Sequence, residues 1–164
     1  TNTGTFEIDG VALNSLASLT LTGGLAGLET LAGRGTASYG GTVTMVGHAR
    51  METAGASDTL TLGGQIDGRT DVPTSAAPIL QKVGGGVLVL DGTGSLFYPQ
   101  ILAGTLRATS NGVLPNTETL VGPGATLDIA NTTQSIAHLS GGDAASRVLL
   151  GASGQLTVDR KSVV

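Results

Sequence analysis

The sequence has no cysteine and no tryptophan, and only four of its 164 residues are aromatic: Phe6, Tyr39, Phe97 and Tyr98. Without a thiol the chain can form neither a disulfide framework nor a thiolate metal site. A core built from large aromatic side chains is also excluded. No run of about 18 apolar residues occurs, so no segment is long enough to cross a bilayer as a helix.

Charged residues are scarce as well. They make up 12 % of the chain, about half the usual ~25 %. The net charge is −4, and the eight basic residues are scattered, with only Arg160 and Lys161 adjacent. Nucleic-acid binding requires a basic stripe and usually stacking aromatic side chains, so we expect no nucleic-acid partner. Disorder is not expected either, because 40 % of the residues are hydrophobic.

Glycine is abundant, with 27 residues, and it interrupts almost every stretch long enough for a helix. An interior glycine costs a helix about 1 kcal/mol, so we expect no helix beyond a short turn at the start of Val11–Thr22. Short runs of alternating apolar and polar residues recur between the glycines, which is the pattern of strands with one buried face. These runs are Ser18–Thr22, Thr42–Val46, Thr59–Leu62, Val87–Leu90, Thr105–Arg107, Thr126–Ile129 and Gln155–Val158.

Two all-β architectures fit such runs. A sandwich or barrel of hairpins would use Asp67-Gly68, Asp91-Gly92 and Asn111-Gly112 as type I′ turns. That architecture predicts longer strands and a few large aromatic core residues. The alternative is a solenoid, in which every strand pairs with the same strand of the next coil.

The spacing of like runs favours the solenoid. From Leu88 to Leu106 is 18 residues, from Leu106 to Leu127 is 21, and from Leu127 to Leu156 is 29. These intervals match solenoid repeats of roughly 20–30 residues. Small aliphatic side chains fill a narrow interior, and about 22 residues per coil predicts about seven coils with a length of roughly 35 Å.

The second half of the chain carries an ordered series of short motifs: LQKVGGGVLVLDGTG, then LFYPQILAGTLRA, then GPGATLDIANTTQSIAHLSG. In this order they resemble the passenger-associated transport repeat of autotransporters, large surface proteins of Gram-negative bacteria. At Tyr98-Pro99-Gln100 the family usually has a Thr-Gly-Gly-Thr turn after the tyrosine, so we expect a differently shaped corner there. The matching positions are Lys82, Gly84, Gly86, Leu88, Leu90, Tyr98, Ile101, Gly104–Leu106, Gly124, Ala125, Leu127, Asp128, Gln134, Ile136, Leu139 and Gly141.

The resemblance implies a right-handed parallel β-helix that is exported with the help of a C-terminal outer-membrane β-barrel, which this chain does not contain. Residues 160–164 read as the middle of another strand. We therefore expect residues 1–164 to be one β-helix segment of a longer passenger, with the best repeat match over residues 80–158. In the family such repeats form the stalk and assist export and folding, and they are not catalytic.

Few residues have the pattern of a reactive site. His48 and His138 are far apart and fit no metal-ligand motif, and no Gly-x-Ser-x-Gly nucleophile motif occurs. Asp67 and Asp71 form the densest acidic group, which a carbohydrate-active β-helix enzyme, a lyase or hydrolase, would need. Asp91 and Asp128 alternate with inward leucines and are predicted to face solvent. Sugar-binding grooves also tend to carry aromatic platforms, which this chain has few residues to build.

The sequence therefore predicts a structural segment of a secreted or cell-surface bacterial protein, with no catalytic, cofactor-binding or metal-ligating residue. Its work would be to extend a stalk, to present loops such as Thr70–Pro78, and to mediate adhesion to a host or neighbouring cell. Self-association into filaments is a further hypothesis, because a β-helix leaves unpaired strand edges at its ends. We expect the strands Thr3–Asp9 and Gln155–Val164 to be the docking edges. The carbohydrate-active enzyme is the alternative.

Overall fold

The computed structural model describes residues 4–14, 16–23, 28–69, 77–141 and 143–159. Within these ranges the chain forms twenty short strands and no helix. The helical turn expected at the start of Val11–Thr22 is wrong, because the described part of that segment forms the strands β2 and β3, Ala12–Leu13 and Leu19–Thr22. No helix in the described ranges is long and apolar enough to span a membrane.

The strands stack into three faces of a right-handed parallel β-helix of about seven coils, and every strand pair in the structure is parallel. The first face contains β1 Thr5–Asp9, β4 Glu29–Arg34, β7 Ala49–Glu52, β10 Ile79–Val83, β13 Tyr98–Ile101, β15 Glu118–Val121 and β18 His138–Gly141. The second face contains β2, β5 Thr36–Tyr39, β8 Thr59–Leu62, β11 Val87–Leu90, β14 Thr105–Ala108, β16 Thr126–Asp128 and β19 Arg147–Leu149. The third face contains β3, β6 Val43–Val46, β9 Ile66–Arg69 and β12 Gly94–Ser95, and then β17 Thr133–Ile136 paired with β20 Gln155–Val158.

The predicted fold class is thus confirmed, and so is most of the predicted register. Leu88 pairs with Leu106, and Leu106 pairs with Leu127, as the spacing indicated. The last step is wrong: Leu127 pairs with Val148, whereas Leu156 pairs with Gln134 on the third face. The 29-residue interval joined strands of two different faces, because both have the same alternating pattern.

The core is a set of aliphatic ladders that run along the axis. On the second face Leu60, Leu88, Leu106 and Leu127 lie in register, and each is fully buried. Tyr39 is the one tyrosine of this core, and its hydroxyl donates to the main-chain oxygen of Ala17 at 2.7 Å. The inward-facing aliphatic residues of the predicted runs are buried wherever a coil covers them on both sides. Leu19, Leu156 and Val158 are less buried because they belong to the terminal coils.

The expectation of a corner at Tyr98-Pro99-Gln100 is wrong, since these residues begin the strand β13. Pro99 lies in register with Leu80 of β10, and its side chain is buried. A proline has no N–H for a sheet ladder. The N–H groups of Tyr98 and Leu102 donate to the main-chain oxygens of Pro78 and Lys82. The direction of the N–H groups alternates along a strand, so the N–H that Pro99 lacks would have pointed toward β15. Consistent with this, the β13–β15 pairing begins only at Gln100.

The third face is interrupted in the fifth coil, where residues 109–117 form no strand, and the buried side chain of Gln134 replaces the missing ladder. Its Nε2 donates to the main-chain oxygen of Ser110 at 2.7 Å and to the hydroxyl of Thr132 at 2.8 Å. Its Oε1 accepts from the N–H of Leu114 at 3.1 Å. Gln134 is fully buried, so these main-chain groups have no ready substitute in water.

We therefore expect Gln134→Leu to lower the free energy of unfolding by about 2–3 kcal/mol, since it leaves a buried donor and a buried acceptor without partners. Urea denaturation followed by circular dichroism measures this loss. Gln65→Leu is the matched control, because Gln65 is exposed and the same change there should stay within about 0.5 kcal/mol. Equal stability of the two variants would show that the Gln134 amide does not hold the interrupted face together.

Candidate functional site

The acidic pair proposed from the sequence is only partly within the described residues. Asp67 lies on β9, and its two carboxylate oxygens accept from Arg69 Nε at 2.7 Å and from the hydroxyl of Ser95 at 2.9 Å. Asp71, like most of the Thr70–Pro78 loop, lies outside the described residues. The Asp67 carboxylate thus joins the third and fourth coils by hydrogen bonds, a structural role that needs no second acid.

The other acids singled out face outward, as predicted, and bind neighbouring coils. Asp91 is exposed and accepts from the hydroxyl of Thr109 at 2.6 Å. Asp128 accepts from Arg107 Nε at 2.8 Å and from the N–H of Ala130 at 2.9 Å. Both carboxylates therefore lie in ladders between successive coils.

A larger charged cluster surrounds Arg34, at the corner where β4 ends. Its guanidinium lies 3.3 Å from Glu7, 2.9 Å from Glu52 and 4.0 Å from Asp58. Hydrogen bonds from the N–H groups of Gly55 and Gly35 lower the pKa of Asp58, and the charge of Arg34 adds to that effect. The cluster joins three coils. In the described part of the chain no group of three or more His, Asp or Glu side chains is arranged to hold a metal.

The two histidines lie in one column on the outer side of the first face, but they are four coils apart. Ile79 pairs with Tyr98, and Glu118 pairs with His138. His48 precedes β7, and its Nδ1 accepts the N–H of Ile79 at 2.9 Å, which places it one coil before Ile79. The column therefore reads His48, Ile79, Tyr98, Glu118 and His138 along the axis.

This column borders a groove of about 360 Å³ on the outer side of the first face. The apolar part of its lining consists of Ala77, Ile79, Pro99 and Leu120. The remaining lining residues are His48, Tyr98, Gln100 and Glu118. The volume is within the roughly 300–1,000 Å³ range of sites that take small molecules.

The most unusual residue of the interior is Lys82, which occupies an inward position of β10 between Met51 and Ile101. It is fully buried, and its Nζ donates to the main-chain oxygens of Val83 at 3.0 Å, Gly84 at 2.7 Å and Ala103 at 3.0 Å. An ammonium has three protons, so these carbonyls match its donors one for one. Burial lowers the pKa of Lys82 to about 8, which leaves the amine protonated at neutral pH.

Comparison with models of protein families, with curated proteins and with solved structures found no match to this chain.

Two features of the site escaped the sequence reasoning. Lys82 was assigned only as a motif position, although it lies two residues after the buried Leu80 and so shares its inward side. Since residues two apart in a strand point to the same side, the position of Lys82 relative to Leu80 could have predicted a buried lysine. The groove had a weaker signal, because only the register between coils shows that His48, Tyr98 and Glu118 share a column.

Proposed function

We propose that the chain is a structural stalk segment of a bacterial surface protein of the autotransporter type, a rod that extends and presents other parts of the molecule. One observation carries the proposal. The motif residues that resemble the transport repeat hold the coils together instead of converging on a reaction centre. Lys82 and Gln134 both bind main-chain groups across a corner or an interrupted face.

Supporting this role, the acidic residues that an enzyme would need are engaged in structural contacts. Asp67, Asp91 and Asp128 each accept hydrogen bonds from a neighbouring coil. A rigid rod needs such cross-coil contacts, because each coil of a solenoid contacts only its neighbours. We therefore propose that the segment is not itself an enzyme, and that it acts outside the cell.

Export can be tested directly by placing the chain between an epitope and an outer-membrane barrel in a Gram-negative host. We expect the epitope to be labelled on intact cells. The chain should also resist protease there, since its backbone is paired in sheets. A strongly destabilised variant should reduce display, and Gly92→Ala provides one, since a Cβ there would collide with the main-chain oxygen of Gly64. Equal display by an unfolded variant, or turnover of polysaccharides by the isolated chain, would contradict the proposal.

The ends of the rod suggest how copies could associate. The first coil exposes Phe6 at 44 %, and the last coil exposes Leu149 at 47 % and Val158 at 39 %. The strands expected to dock from the sequence, β1 and β20, belong to different faces, so they cannot pair in a coaxial stack. Coaxial stacking of two copies would instead pair β18 of one copy with β1 of the next.

That arrangement predicts scattering from rods whose length grows with protein concentration. The reason is that open sheet edges pair with any matching edge unless they are blocked. Phe6→Lys at one end should shift the chain toward the monomer, whereas Val89→Lys on the side of the second face should not. A monomer at every concentration would contradict end-to-end association.

A further inference from the structure

Tyr98 is the one aromatic side chain on the lateral surface of the rod. Phe97 is fully buried, Tyr39 is buried in the core, and Phe6 lies on β1 in the first coil of the described chain. Tyr98 is half-buried and lies in the groove, beside Ile79 in the preceding coil and Glu118 in the following one. An aromatic ring in such a position presents an apolar surface and a polar hydroxyl to the same ligand.

The polar groups around this ring are held in place by the coils. The N–H of Ile79 donates to His48 Nδ1, so the neutral ring carries its proton on Nε2 and has a donor left to offer. Gln100 accepts from Gln81 through its Oε1 at 3.5 Å, which leaves its NH₂ group as a donor. Glu118 is exposed and accepts from the hydroxyl of Ser140 at 3.3 Å through one oxygen only, so the other oxygen is an available acceptor.

The groove therefore combines an apolar floor with both donors and acceptors at its rim. A polyanion would meet the carboxylate of Glu118, and the described lining residues include no lysine or arginine to offset that charge. An alkyl chain would fill the floor but would desolvate His48 and Glu118 without giving them partners. A sugar ring has an apolar C–H side that can pack on Tyr98 and hydroxyl groups that both donate and accept.

We propose that this groove is a binding site for a neutral sugar residue of a glycan, with Tyr98 as the stacking platform and Glu118, Gln100 and His48 as hydrogen-bonding groups. Among the described residues that line the groove, Glu118 supplies the one carboxylate, whereas glycoside hydrolysis uses a pair of acids, so the proposal is for binding alone. The rod would thereby adhere to glycans through its side.

The test is a titration of the full chain, carrying ¹³C-labelled tyrosine and isoleucine, with methyl β-D-glucopyranoside, methyl β-D-galactopyranoside and N-acetyl-D-glucosamine. We expect saturable shifts of the Tyr98 ring and the Ile79 methyl groups at millimolar concentrations of at least one sugar. The chain has two tyrosines, so Tyr39→Phe assigns the Tyr98 signals. Both Tyr98→Ala and Glu118→Gln should weaken binding about tenfold or more.

Val89→Ala is the matched control, because Val89 faces outward on the second face and should leave binding unchanged. Circular dichroism verifies that each variant is folded. If Tyr98→Ala does not fold, Glu118→Gln still tests the site. The proposal is overturned if none of the three sugars gives saturable shifts, or if both groove variants bind like the unmodified chain. It is also overturned if lysine methyl ester occupies the groove and the sugars do not, since the site would then select a cation.

Discussion

Lys82→Ala is expected to lower the free energy of unfolding by about 4 kcal/mol. Part of this loss is the cavity left by a long side chain in a packed ladder. The rest comes from the oxygens of Gly84 and Ala103, which lose the donor that the structure gives them, whereas the oxygen of Val83 keeps the N–H of Thr53. Urea denaturation monitored by circular dichroism measures the change.

Lys82→Met separates the two causes, because methionine keeps most of the volume and removes the donors. Hydrogen bonds to a charged group contribute about 1.5–3 kcal/mol each. The pKa lowered from 10.5 to about 8 means that burial disfavours the ammonium relative to the neutral amine by about 3 kcal/mol. The bonds outweigh this cost, so we expect Lys82→Met to lose about 2 kcal/mol at pH 7. A methionine variant as stable as the unmodified chain would show that the ammonium does not hold the corner.

The pH dependence gives an independent test of the same contact. The pKa of Lys82 is about 8 in the folded chain against 10.5 for an unperturbed lysine. Between these values the unfolded chain binds more protons, so the free energy of unfolding rises with pH across this window and is flat below about pH 7. The advantage of the unmodified chain over Lys82→Met should therefore widen by roughly 2–3 kcal/mol from pH 7 to pH 10. A constant difference would show that the amine keeps an ordinary pKa.

Much of the fold could be predicted from the sequence because alternation and glycine spacing are local signals. The strands Thr59–Leu62 and Val87–Leu90 have the predicted bounds, and the register from Leu88 to Leu127 was correct. The face to which a run belongs was harder to predict, since short strands of different faces have the same pattern. That ambiguity caused the wrong pairing assigned to Leu156.

The candidate site could be predicted less well, because it depends on contacts between coils. Pro99 illustrates this: a proline in a short run indicates a corner, yet here its missing N–H falls on the side where pairing has not begun. Gln134 likewise looks like an ordinary strand residue until the fifth coil shows no third strand beside it. In both cases the neighbouring coil decides the role of the residue.

Gly92→Ala is the second change with a large expected effect. Gly92 lies at the corner after β11, and a Cβ there would collide with the main-chain oxygen of Gly64 in the preceding coil. The obstacle is backbone, which cannot rotate away as a side chain could. We expect a loss of about 3 kcal/mol in the free energy of unfolding, or failure to fold. Thermal and urea denaturation measure it.

Gly63→Ala is the matched control from the same row of corners. A Cβ at Gly63 would have its nearest neighbours at 3.9 Å, in the main chain of Gly40 and Tyr39, so the folded chain accommodates it. Alanine also restricts the unfolded chain, and this variant should be neutral or more stable by up to about 1 kcal/mol. Equal effects at the two positions would contradict the stacking of these corners.

Gly92→Asn distinguishes the β-helix from the hairpin architecture that the Asp91-Gly92 pair also permits. In a type I′ turn the second residue has a positive φ, which asparagine tolerates far better than alanine. In the β-helix the φ of Gly92 is not positive, and the glycine is needed because the preceding coil lies so close. Asparagine meets the same oxygen of Gly64 there, so it should destabilise the chain at least as much as alanine does. Recovery of stability by Gly92→Asn would mean that this corner is a hairpin and that the coils are not stacked.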